Sequence, residues 1–137
     1  MAVVEELLRT EENGAISFGN HKLPAKAKVE DYEHDGDLYK VKTFRELTKL
    51  EKNGMFAYES EPGTSVTQFT ETQKGVSFTV EGDEDAQITV GLEEDTEYKV
   101  YVDDVNVGKM KTNLGGKLSL SVELENTGEV AVKIIKQ

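Results

Sequence analysis

Apolar and polar residues alternate one for one over much of the chain. Val76, Phe78 and Val80 take every second position, as do Ile88, Val90 and Leu92, and Tyr98, Val100 and Val102. Leu118, Leu120, Val122 and Leu124 continue the series, and Val130, Val132 and Ile134 end it. A period of two belongs to strands that bury one face. Nearer the start, Ile16 alternates with Phe18, and Phe56 with Tyr58. Tyr39, Val41 and Thr43 share a face whose reverse carries Lys40 and Lys42. Turn formers separate these runs at Asp35-Gly36, Pro62-Gly63, Lys74-Gly75, Glu81-Gly82, Gly115-Gly116 and Thr127-Gly128. Short strands at such spacing predict an all-β chain, an antiparallel β-sandwich or a barrel-like relative.

Two segments also fit a helix. Val4, Leu7 and Leu8 have helical spacing ahead of Asn13-Gly14, and Phe44 to Leu50 is similarly ambiguous. Internal repetition favours strands for both. Leu7 to Phe18 and Leu47 to Tyr58 read as near copies, each with Glu-x-Asn-Gly before an apolar run. Asn-Gly accepts the positive φ of tight hairpins, so the same hairpin is expected twice. A looser third version is expected over Lys111 to Leu120. Aligning Tyr39 with Phe78 and Val41 with Val80 extends the duplication over residues 7–41 and 47–80. The expected organisation is a duplicated hairpin region over 1–80 and an Ig-like block of six strands over 81–137. The two pack together, with a seam at Glu81-Gly82-Asp83-Glu84-Asp85.

Charge and composition narrow the function more than they define it. The 137 residues include 27 acidic and 16 basic side chains, a net charge of −11. Such an excess repels phosphate backbones and anionic lipid, which argues against nucleic-acid and membrane partners. No apolar run approaches the roughly 20 residues of a membrane helix. The beginning of the chain lacks the basic and apolar regions of a signal peptide. A cytoplasmic protein, or one exported without a classical signal, is expected. With no cysteine, thiolate metal sites and thiol nucleophiles are excluded.

Candidate chemistry is sparse. The two histidines, His21 and His34, lie in polar surroundings and read as surface loop residues. Asp83, Asp85, Asp103 and Asp104 are the main candidates for a calcium ion, which takes clustered oxygen ligands. Glu93-Glu94-Asp95 and the Asp35/Asp37 pair are further acidic groups, and none of these follows EF-hand order. GxSxG, SxxK and the glycine-rich phosphate loops are absent. Catalytic residues and cofactors are therefore expected to be none. Tyr39, Tyr58, Phe78 and Tyr98 fall on apolar faces and read as core. Tyr101 and Tyr32 remain as exposed aromatics for a glycan or a protein partner. Ile135, Ala131 and Met110 face away from the core pattern and mark a surface for self-association.

Asn13 to Asn20, Gly36 to Phe44, Leu50 to Phe56 and Asp103 to Leu118 carry a resemblance spanning most of the chain. It is to a family of short acidic bacterial proteins bearing an "endosialidase" or "endosialin-like" label. Tyr98 to Ile134 is similar to terminal β-sandwich modules of polysaccharide-degrading enzymes, in its Tyr-x-Val-x-Val-Asp strand and Thr-(x)n-Gly-x-Leu hairpin. The resemblance implies a sandwich fold and kinship with glycan-associated modules. Sialidase-type sites clamp a substrate carboxylate with three arginines, and Arg9 and Arg45 are the only two here. The expected function is a non-catalytic structural protein that self-associates into a homo-oligomer or array. The alternative is a carbohydrate-binding accessory module, and a small hydrolase ranks last.

Overall fold

The computed structural model describes residues 3–137 and contains thirteen strands, with no helix among those residues. They are β1 Leu8–Thr10, β2 Ile16–Phe18, β3 Ala27–His34, β4 Asp37–Phe44, β5 Leu47–Lys52, β6 Met55–Glu61 and β7 Ser65–Thr72. Then come β8 Gly75–Glu81, β9 Ala86–Gly91, β10 Glu97–Val102, β11 Val105–Lys111, β12 Lys117–Val122 and β13 Val130–Lys136. One sheet has seven strands in the order β1-β2-β7-β8-β13-β10-β11, the other six in the order β12-β9-β6-β5-β4-β3. Every pairing is antiparallel. The two open sheets face each other as a sandwich, and neither closes into a barrel.

The alternating residues line the space between the sheets. Val41, Val80, Ile88, Val100, Leu124 and Ile134 are fully buried. At the centre, Phe18, Tyr58, Phe69 and Phe78 interlock, with Phe18–Tyr58 ring centres at 5.2 Å and Tyr58–Phe78 at 5.5 Å, both edge-on. Edge-on contact sets the positive rim of one ring against the negative face of the next. Neither possible helix forms: Val4 to Leu7 is a turn leading into β1 at Leu8, and Phe44 to Leu50 is the end of β4, a turn at Arg45-Glu46 and most of β5.

The repeated motif does not fold the same way twice. Asn53 and Gly54 both have positive φ (53° and 78°) and form a two-residue turn between Lys52 and Met55. Positive φ at both central residues is the type I′ condition, which matches strand twist. Around Asn13-Gly14 only Gly14 is left-handed, the Gly14 amide donates to Glu11 O, and the connection spans Glu11 to Ala15. The first hairpin joins the seven-stranded sheet and its copy the six-stranded one.

Three further expectations are corrected. Lys111 to Leu120 is no hairpin, because β11 and β12 lie in different sheets and the link arches between them. Residues 81–137 hold five strands rather than six, shared between both sheets. Phe56 does not share the inward face of Tyr58. A bulge between Leu50 and Glu51 sets Phe56 opposite Glu51, and Ala57 takes the buried position.

Candidate interaction site

The outer face of the seven-stranded sheet collects three of the residues singled out above. Register places Tyr101 opposite Lys133, Lys99 opposite Ile135, and Ala131 opposite Thr79. Tyr101 lines a hollow of about 170 Å³ with Ser77, Thr79, Ala131 and Lys133. Ile135 lines a neighbouring hollow of about 210 Å³, which also contains Ser77 and Lys133. Lys99, Lys109 and Lys133 make no ion pair among the described residues, in a chain of net charge −11. Met110 is not part of this face. It sits opposite Tyr98 and packs against the core, because β11 keeps the inward register of β10.

Tyr32 is half-buried rather than free, and it works across the sandwich. Its hydroxyl lies 3.0 Å from Thr10 Oγ1, which is also 3.0 Å from His34 Nδ1. Thr10 belongs to β1 and Tyr32 and His34 to β3, so the edges of the two sheets are laced together on that side. β3 is also bulged, with Asp31 at φ 55°, and exposes Glu30, Asp31 and Glu33.

The opposite lateral side, between β11 and β12, is built differently. Val105 and Val107 are 62% and 50% exposed. An open groove of about 450 Å³ runs between the edges, lined by Val102, Val107, Met110, Leu120, Val122 and Val130. Among the described residues β12 pairs only with β9 and carries no bulge.

The calcium candidates do not form a group, and two of them serve the backbone. Asp103 and Asp104 are the two positive-φ residues of the β10–β11 turn (49° and 67°), and Asp103 Oδ1 accepts the Ala131 amide at 2.9 Å. Asp85 Oδ1 accepts the amides of Leu124 and Glu125 at 3.0 and 3.1 Å. Asp83 binds Lys22 Nζ at 2.6 Å, which holds its carboxyl below the usual range. Among the described residues, no three acidic or histidine side chains are grouped to hold a metal.

A buried polar cluster at one end of the sandwich was not legible in the sequence. His21, read as a surface residue, is 3% exposed. Its Nδ1 lies 2.7 Å from Ser65 Oγ and its Nε2 lies 3.6 Å from Asp83 Oδ1. Burial pushes the imidazole pKa down, and it outweighs the pull of Asp83 in the other direction. His21 is therefore neutral at pH 7, and its approach to Asp83 is not an ion pair. Thr43, Thr48, Ser60 and Thr64 continue the cluster, with Tyr58 Oη 2.8 Å from Thr64 Oγ1. Burial drives the Tyr58 phenol upward, so it stays protonated. Every buried side-chain polar atom among the described residues has a partner. The Ser65–His21–Asp83 grouping has the residue types of a hydrolase triad, but Ser65 is 1% exposed, which keeps its oxygen from solutes. Arg9 pairs with Glu11 in the first hairpin, while Arg45 lies in the β4–β5 turn.

No family model, curated protein or solved structure matches the chain.

Proposed function

We propose that the protein is a non-catalytic assembly module that self-associates through the lateral side formed by β11 and β12. The carrying observation is the asymmetry of the sandwich: one side is laced by Thr10, Tyr32 and His34, while the other leaves an apolar groove and an unpaired, bulge-free edge. Exposed flat edges are templates for pairing, and folded proteins ordinarily blunt them. Enclosure of the Ser65 hydroxyl supports the non-catalytic part of this reading. Light scattering on a sizing column, from micromolar to millimolar protein at physiological salt, tests it. Mass rising with concentration is expected, and a strict monomer throughout would overturn the proposal.

A second reading has its own observation. Tyr101 beside Ser77, Thr79 and Lys133, with Lys99 and Lys109 making no ion pair among the described residues, fits a glycan laid over the outer face of the seven-stranded sheet. An aromatic ring supplies stacking, and hydroxyls and ammonium groups supply hydrogen bonds. Glycan-array binding that disappears in Tyr101→Ala would favour it, and an array without signal would remove it.

A further inference from the structure

We infer that self-association joins two copies at β12, antiparallel across a twofold axis through Leu120, merging two six-stranded sheets into one. This rests on the assembly reading and assigns its seam.

The hydrogen-bond directions of β12 lead there. Leu92 N donates to Gly116 O, and antiparallel ladders alternate bonded and non-bonded pairs. Leu118, Leu120 and Val122 therefore bond toward β9, while Lys117, Ser119 and Ser121 turn their backbone groups to the open edge. Lys117 is already satisfied: its amide donates to Asn113 Oδ1 at 3.0 Å, and its carbonyl accepts from Asn113 N at 3.1 Å. Glu123 lies beyond the strand, which ends at Val122. Within β12, among the described residues, the free groups are thus the amide and carbonyl of Ser119 and those of Ser121.

Only one antiparallel register pairs all of them with one another. Centred on Leu120, Ser119 faces the partner's Ser121, and Ser121 faces the partner's Ser119. Each is a bonded pair exchanging two hydrogen bonds. Centred on Ser119, the register would call on Lys117, whose groups Asn113 occupies. Centred on Ser121, it would pair Ser119 with Glu123 of the partner subunit, which lies beyond the end of the strand.

Charge agrees with this register. The Leu120 centre puts Lys117 opposite Glu123 of the partner subunit at both ends of the seam. Glu123 makes no ion pair among the described residues, and Lys117 Nζ lies over the Phe56 ring at 4.5 Å on the same outer face. Opposite charges at facing cross-strand positions stabilise a pair, and like charges oppose it. A twofold contact needs such self-complementarity.

Cysteine-free wild type makes the test direct. Ser119→Cys and Ser121→Cys replace exposed hydroxyls, and facing residues of a bonded pair lie about 5.5 Å apart at Cα, within disulfide reach. Each variant alone and an equal mixture are oxidised, with light scattering on the reduced proteins. The expected result is a disulfide dimer mainly in the mixture. Dominant self-crosslinking of either single variant would overturn the register. Association without any crosslink would overturn the β12 seam while leaving assembly standing, and a monomer throughout would overturn both. Lys117→Glu should weaken dimerisation roughly ten-fold, and adding Glu123→Lys should restore it. Failure of that rescue would count against the Leu120 centre.

Discussion

The two lateral sides of the sandwich meet the same physical problem and answer it differently. Each is where the outer strands of two sheets come together, leaving backbone groups and apolar interior at risk of exposure. On the β1/β3 side, β3 is bulged at Asp31 and lined by Glu30, Asp31 and Glu33, and Thr10 ties it across to β1. Bulges and charges are the usual means of making an edge unfit for pairing. On the β11/β12 side, β12 carries no bulge, its solvent face carries Lys117, Ser119 and Ser121, and apolar residues line the groove behind it. The difference teaches where an incoming strand is tolerated. One side spends its polar side chains on intramolecular closure, and the other keeps its capacity for a partner.

The largest expected effect comes from blocking β12. In Ser121→Pro the lost amide is one that points away from β9, so the fold should survive while pairing fails. Self-association should be abolished, with the far-ultraviolet spectrum and cooperative unfolding retained. The corresponding block on the other side, Glu33→Pro, should leave association as it was. Loss of association in both variants, or in neither, would erase the distinction between the sides.

Next in size is the lacing itself. Thr10→Val removes the hydroxyl shared by Tyr32 and His34 without changing side-chain shape. Because the contacts are exposed and water partly replaces them, a loss of about 1 kcal/mol is expected. Urea unfolding monitored at low protein concentration measures it, and association should not change. An unaltered midpoint would mean that the β1/β3 side is held by packing alone.

How much of this was legible follows from how each strand is buried. β8, β9, β10, β12 and β13 announce themselves because every second residue enters the core. β3, β7 and β11 do not. β7 buries Val66 and Phe69, three positions apart, because Gln68 adopts φ 56° and the bulge shifts the register. β3 is an edge strand with no fully buried residue, only Val29 and Tyr32 of its hydrophobic residues packing partly against the core, and β11 has no fully buried residue to carry a period. β11, one half of the open side, was therefore invisible in a pattern that records burial. Tyr101, Ala131 and Ile135 were placed outward because their strands keep strict alternation. Met110 was misplaced for want of the β10–β11 register. His21 had no local signal at all, since Ser65 lies 44 positions away.

Acid should separate folding from association, because the two respond in opposite senses. The folded-state pKa of His21 lies below its ordinary value, chiefly through burial. The unfolded chain therefore takes up the proton first as pH falls through about 6.5, and stability is lost from there downward. Glu11, whose carboxyl is held down by the Ser17 hydroxyl, loses its contribution only below the ordinary carboxylate range. Between pH 7.5 and 5.5 the urea midpoint should fall, and His21→Gln, which can keep a hydrogen bond to Ser65, should flatten that slope. Dimerisation over the same interval should strengthen, as the net charge shrinks toward the isoelectric point near 4.6. A dimer that weakened in step with the fold would place His21 or its neighbours at the interface.

The smallest expected effect concerns salt, and its sign discriminates between two electrostatic pictures. Two copies of charge −11 repel over distances that salt screens, with a Debye length of about 10 Å at 0.1 M and about 3 Å at 1 M. Contacts between Lys117 and the partner's Glu123 are local and exposed, so each contributes little. Long-range repulsion should dominate, and raising salt from 0.05 to 0.5 M should tighten the dimer several-fold. Sedimentation across that range reads the change directly. Weaker association at high salt would instead point to docking governed by opposite charges. The lysines of the Tyr101 face, half-buried Lys99 and exposed Lys109 and Lys133, set against the acidic edge at Glu30, Asp31 and Glu33, are the surfaces that such a head-to-tail contact would use.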